Sequence, residues 1–241
     1  MSSTITFYIA RHGKTLMNTL EKVQGWCDSP LTPEGIEVAK YLGAGLRNIK
    51  FDLVYTSDLR RTRQTAQVLL KEQGQTALPI IEKEGFREAC FGSYEADLNS
   101  KMWNEAAMYL HYPRIELMYD DLYAKKITNK EVMGAINELD YMGLAETFDQ
   151  VEARTQKALL EIAETEGLKG KDSNILVVAH GLCIVVMLHN LGGKNMPKLY
   201  VDNATVCKVT YKNGIFNVES MGDEQYINAG KKTLEREEFN N

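Results

Sequence analysis

Two stretches of this chain end in the same way. "ITFYIARHG" (5–13) and "NILVVAHG" (174–181) run through aliphatic, β-branched and aromatic residues and stop at a histidine followed by glycine. Apolar residues at successive rather than alternate positions imply cover on both faces, the pattern of a strand buried inside a parallel sheet. Parallel neighbours need long crossover connections, so a chain holding such strands must place helices on both sides of its sheet. In that architecture ligands bind beyond the carboxyl ends of the strands, where His12 and His180 would lie. A glycine after each histidine lets the chain turn sharply and lets a ligand approach the backbone. A lone histidine at a strand tip is commonly a satisfied structural group. Two at equivalent tips, one of them beside Arg11, point to a site.

The remaining pattern agrees. "FDLVYTS" (51–57) and "LPIIE" (78–82) supply two more strands, and "TVCKVTY" (205–211) and "IFNVES" (215–220) the last two, joined through "KNG". Thr32 caps a helix that opens with Pro33 and Glu34 and carries Ile36, Ala39, Leu42 and Leu46 on one side. Ser57 is expected to cap a second helix over 58–73, and "GLCIVVMLHNLGG" (181–193) to form a mostly apolar third. Between 98 and 166 the alternation stops and the pattern is helical. Leu98, Met102, Ala106 and Leu110 mark one helix stopped by Pro113, and Thr147 with Gln150 forms a capping box for another bearing Phe148, Val151, Leu159 and Ile162. These features predict an α/β three-layer sandwich with a mainly parallel central sheet, in one domain over 1–241, and a helical insertion over the carboxyl edge. The polar tail from about residue 229 is expected to be loose.

Bulk properties exclude several function classes. The formal net charge is −5, against the basic face that a nucleic-acid or membrane-surface role requires. No apolar run has the length of a membrane span, and the first residues lack the basic lead and apolar stretch of a secretory signal, so a cytoplasmic protein is expected. Cys27, Cys90, Cys183 and Cys207 are far apart with no CxxC pair, which predicts reduced thiols and no thiolate metal site. "GKT" (13–15) imitates the end of a phosphate-binding P-loop, but that motif needs glycine at position 8, where Tyr8 stands in mid-strand. His12, His111, His180 and His189 show no metal-ligand spacing, and no metal or cofactor is expected.

Taken in order, the motifs resemble the histidine phosphatase superfamily, in its phosphoglycerate-mutase-like branch. Arg11, His12 and Gly13 stand as its RHG signature, with Asn18 at the usual offset. "GWCDSPLTPEG" resembles its following loop, "YTSDLRRTRQTA" its second basic motif, "FREACFGSYEA" its acidic motif and "VAHG" its second histidine, over roughly residues 4–219. The resemblance implies a nucleophile at His12, a phosphoryl clamp from Arg11 and Arg61, a general acid at Glu88 and, if protonated, a further donor at His180. It also implies that Asn18 and the amides around Gln24, Gly25 and Gly181 contact phosphate or substrate, with Asn203 either near the site or capping a turn. Glu84 and Glu95 are the nearby carboxylates that compete for the acid's role, and Arg60 and Arg63 are read as solvated helix-face charges. Lys14 departs from the family, which often carries Glu there.

The superfamily contains phosphatases and mutases. Cofactor-dependent mutases resemble one another in a paired-arginine segment of the insertion, whereas "NEAAMYLHYPRIELMYDDLYAKK" (104–126) holds the single Arg114 and many Tyr and Met residues. That departure favours hydrolysis of small phosphomonoesters. Tyr109, Tyr112, Met118, Tyr119 and Tyr123 would then line a leaving-group pocket or pack the insertion itself, with His111 and Arg114 as specificity contacts. Phosphoglycerate mutase is the alternative activity, a silent phosphate-binding protein a third reading, and a homodimer is compatible with the fold.

Overall fold

The computed structural model describes residues 3–192 and 201–240. Six strands, β1 (Ile5–Arg11), β2 (Leu53–Thr56), β3 (Ile80–Glu82), β4 (Ser173–Ala179), β5 (Val206–Lys212) and β6 (Ile215–Asp223), form one sheet in the order β3-β2-β4-β1-β5-β6. β3, β2, β4 and β1 are parallel, β5 runs antiparallel beside β1, and β6 pairs antiparallel with β5 at the edge. The two histidine-bearing strands are central neighbours in register, with Arg11 opposite Ala179. Both histidines therefore leave adjacent tips at the same level. Asn213 and Gly214, both at positive φ, turn the β5–β6 hairpin.

The helices are α1 (Leu16–Thr19), α2 (Pro33–Gly45), α3 (Arg60–Gln73), α4 (Asn99–Tyr109), α5 (Ile115–Tyr123), α6 (Asn129–Leu139), α7 (Phe148–Gly167), α8 (Gly181–Met187) and α9 (Gln225–Phe239). Side-chain alternation along β1 feeds two cores. Ile5, Phe7 and Ile9 pack with Leu159 and Ile162 of α7 and Ile184 of α8, while Tyr8 and Ala10 pack with Leu42 of α2 and Leu69 of α3. A third cluster joins Met102 and Ala106 of α4 and Ile136 of α6 to Phe91, Val23 and Val186, which seats the insertion on loops at the site end of the sheet.

The predicted caps at Thr32 and Thr147 form, the latter as a full capping box with Gln150. Three readings need correction. Ser57 does not cap α3: Leu59 is its N-cap residue, and the Ser57 hydroxyl lies 2.8 Å from His180 Nε2. The apolar helix after β4 ends at Met187, and Gly193, the last residue of the predicted stretch, falls outside the described residues. The polar tail is not loose. It forms α9, which crosses α2 so closely that a Cβ on Gly230 would stand 1.8 Å from the Tyr41 carbonyl, and Tyr226 and Ile227 join the α2–α3 core. Two glycines, Gly45 and Gly230, make that approach sterically feasible.

Candidate active site

Arg11, His12, Arg61, Glu88 and His180 are buried together at the tips of β1 and β4. His12 leaves β1 with its amide bonded to the Ala179 carbonyl, and Asn203 donates through Nδ2 to the His12 carbonyl at 2.8 Å. Asn203 thus braces the backbone of the histidine loop. The His12 ring places Nδ1 2.8 Å from the Gly13 carbonyl. A carbonyl only accepts, so Nδ1 carries the proton and Nε2 keeps its lone pair. Burial, then Arg61 and Arg11, hold the His12 pKa well below the ordinary histidine value of 6.5, so the imidazole is neutral at physiological pH. Gly13 cannot be replaced without strain on the backbone, because a Cβ there would stand 2.5 Å from the Gly35 carbonyl.

His180 is the N-cap residue of α8, with the ring centroid 5.2 Å from that of His12. Its Nδ1 accepts from Arg61 Nε at 3.0 Å and its Nε2 faces Ser57 Oγ. Burial, followed by Arg61, His12 and Arg11, lowers its pKa well below the usual value. His180 is therefore not an imidazolium here, since an Nδ1 that accepts from a guanidinium holds no proton.

Arg61 is fully buried, and its remaining donors go to the 24–28 loop. Nη1 bonds the Cys27 carbonyl at 2.9 Å and Asp28 Oδ1 at 3.1 Å, and Nη2 the Gly25 carbonyl at 2.7 Å. Arg60 is exposed and Arg63, half-buried, pairs with Glu82 at the surface. Arg11 donates to the Val201 carbonyl at 2.8 Å, and its guanidinium lies over Gly181, where a Cβ would stand 3.2 Å from Nε.

The structure separates the three competing carboxylates. Glu84 is on the surface with its side chain 77% exposed. Glu88 is buried and accepts from the amides of Ala89 (3.0 Å), Leu182 (3.1 Å) and Cys183 (2.7 Å), the last two in the first turn of α8 just beyond His180. Burial raises its pKa above the ordinary glutamate value, against the opposing pull of those amides and of Arg61 and Arg11. Glu95 receives the amides of Gly25, Trp26, Cys27 and Phe91 at 2.9–3.2 Å and ties the 25–27 loop to the acidic motif. The Gly25 amide is consequently taken by Glu95 rather than offered to a ligand. Gln24 accepts from Thr15 and Ser29 through Oε1, while its buried Nε2 has no partner and is the loop donor left for an anion. Asn18 uses Oδ1 and its amide in a capping box with Thr15 at α1, leaving Nδ2 to reach outward.

Several predicted specificity residues pack the insertion or stand on its surface. Met118 is the buried centre of the insertion's own small core, with Tyr112 and Tyr119 packed on it, and Tyr123 is 70% exposed. His111 and Arg114 are exposed, as is Lys14, whose carbonyl receives the amide of Thr32. The Tyr- and Met-rich segment is packing first. Trp26 and Arg87 went unnoticed in the sequence: Trp26 Nε1 donates to the Glu88 carbonyl at 3.1 Å, and the Arg87 guanidinium sits 4.8 Å over the indole while pairing with Asp58. No local signal marks them, because their partners come from separate loops.

The sequence model of the histidine phosphatase superfamily (branch 1) matches residues 7–224. The chain belongs to the histidine phosphatase superfamily. Among its relatives in that superfamily, a broad-specificity phosphatase of Saccharomyces cerevisiae is 30% identical over 239 residues, covering 95% of this chain and 90% of the relative. A probable phosphoglycerate mutase of Citrobacter koseri is 25% identical, covering 92% and 94%. The crystal structure of a phosphoglycerate mutase from Bacillus anthracis str. Sterne superimposes with a TM-score of 0.89 at 36% identity, covering 95% of this chain and 98% of that one. Among the described residues no helix is long and apolar enough to cross a membrane.

Proposed function

We propose that this protein is a single-domain phosphomonoesterase that works through a phosphohistidine on His12 Nε2. The observation that carries the reading is the His12 ring, fixed through Nδ1 on the Gly13 carbonyl and held neutral beside two guanidinium groups. Its lone pair attacks phosphorus and the bond to the leaving oxygen breaks. Glu88, protonated more readily than an ordinary glutamate, gives its proton to that oxygen and then takes one from the water that cleaves the P–N bond. Arg11 and Arg61 neutralise the charge on the equatorial oxygens, a role that planar, permanently charged donors perform without a metal. Phosphate entry exchanges the Arg61 Nε–His180 bond for a phosphoryl oxygen, and the freed His180 Nδ1 takes a proton and donates to the same group. Gln24 Nε2, Asn18 Nδ2 and the Gly181 amide complete the oxygen contacts. The substrates are small phosphorylated molecules, and four thiols outside any disulfide suit a reducing cytoplasm.

Phosphoglycerate mutase is the second reading, favoured by the likeness to the Bacillus anthracis enzyme. Against it stands the segment 104–126 of the insertion, whose single arginine, Arg114, is exposed just before α5. Release of phosphate from p-nitrophenyl phosphate in excess chelator, wild type beside His12→Ala, with 3-phosphoglycerate in parallel, separates the two. Release abolished by the substitution supports the phosphatase. Isomerised phosphoglycerate without release replaces it with the mutase, and silence in both assays overturns both.

A further inference from the structure

The guanidinium of Arg154, on α7, has all five of its N–H donors engaged. Nε and one Nη2 donor grip the Glu146 carboxylate at 2.7 and 2.8 Å. The other three go to main-chain carbonyls: Nη1 to Gly85 (3.0 Å) and Arg87 (2.7 Å), and Nη2 to Glu88 (2.8 Å). Glu146 is itself locked to the far side of the same segment, accepting from the Cys90 amide while its own amide donates to the Cys90 carbonyl. Gly85 makes the approach feasible, since a Cβ there would stand 2.8 Å from the Ala158 methyl on α7.

Neither residue reaches the reacting atoms. Both fix the backbone that bears Glu88, whose carboxylate is separately aimed by the first amides of α8. We infer that Arg154, clamped by Glu146, is a positioning residue for proton transfer, setting the place of Glu88 from α7, the last helix of the insertion. This rests on the reading of Glu88 as the acid. The chemistry demands arginine: lysine offers three rotating donors from one atom and cannot hold a bidentate carboxylate and three divergent carbonyls together. Misplacing an acid by a fraction of an ångström weakens only the step in which it moves a proton. The loss therefore falls on substrates that need protonation to leave.

The test compares wild type, Arg154→Lys, Arg154→Met, Glu146→Gln and Glu88→Gln on a series from p-nitrophenyl phosphate to alkyl phosphates, with inorganic phosphate as inhibitor and circular dichroism as the check on folding. For Arg154→Lys and Glu146→Gln the expected loss in kcat/KM is roughly 10- to 100-fold on alkyl phosphates and only a few-fold on p-nitrophenyl phosphate, a steeper leaving-group dependence in the direction of Glu88→Gln. The inhibition constant of phosphate stays within about twofold, because Arg11 and Arg61 are untouched. If Arg154→Met does not fold, Arg154→Lys and Glu146→Gln decide. An even loss across the series, or a weakened phosphate inhibition, in folded variants makes Arg154 structural and overturns the inference while leaving the acid in place. A flat series for Glu88→Gln overturns both together.

Discussion

Glu95 offers a demanding test of the site's scaffold, because one carboxylate holds four amides from two segments. Oε1 accepts from Trp26 (2.9 Å) and Phe91 (3.0 Å), and Oε2 from Gly25 (3.2 Å) and Cys27 (2.9 Å). A hydrogen bond to a charged group contributes about 1.5–3 kcal/mol net, so four independent bonds would sum to about 6–12 kcal/mol. They share one carboxylate, and water reaches the exposed Trp26 amide once the group is gone, so the expected loss for Glu95→Ala is about 3–4 kcal/mol. In a chain of this length that lowers Tm by roughly 6–16 °C. Glu95→Gln should cost nearly as much, since one of its two ends then presents donors to donors. The loop that loosens supplies the carbonyls of Gly25 and Cys27 that hold Arg61, so the inhibition constant of phosphate should rise in both variants. Thermal unfolding of both, beside Glu84→Ala as an exposed control, measures this. A Glu95→Gln protein within about 0.5 kcal/mol of wild type would refute the argument that the carboxylate's charge organises the loop.

Two further outcomes follow from the same geometry. Gly181→Ala puts a Cβ 3.2–3.3 Å from Nε and Cζ of Arg11, which must shift; alanine suits a helix start, so Tm should move by less than about 2 °C while phosphate inhibition weakens roughly fivefold, and an unchanged inhibition constant would separate Arg11 from phosphate binding. His12 and His180 have folded pKa values well below the unfolded value near 6.5, so the unfolded state binds more protons below that pH and stability falls as pH drops, by at most about 1.4 kcal/mol per unit per histidine. The raised pKa of Glu88 works the other way, favouring the folded state at acid pH and losing that contribution as pH rises from the unfolded value toward the folded one. Urea unfolding from pH 7 to 5 should therefore show a falling free energy that His180→Asn flattens.

The strands and their histidines were legible because the signal is local: an apolar run, a polar tip and a glycine fit within nine residues. Where a residue's role depends on a distant partner, the sequence is silent. Ser57 has the chemistry of a helix cap, and only β4, over a hundred residues later, brings His180 Nε2 to its hydroxyl. Glu88 and Glu95 look equivalent in "REACFGSYE"; the first turn of α8 receives one and the 25–27 loop the other. The tail read as loose because its apolar residues are few, while its packing on α2 rests on two glycines that bring backbones together. The aromatic and Met-rich insertion was ambiguous between a pocket and a core, and only its fold shows Met118 wholly buried in the insertion's own cluster while Tyr109 and Tyr123 stay exposed.

The central claim is the covalent intermediate, and the most direct measurement is rapid quenching of the enzyme during turnover of p-nitrophenyl phosphate, followed by peptide mass spectrometry under neutral conditions. A single phosphoryl group on His12, labile to acid, stable to base and absent from His12→Ala, is the predicted result. Turnover without any phosphoenzyme, or a phosphoryl group on another side chain of an active His12→Ala protein, would contradict it.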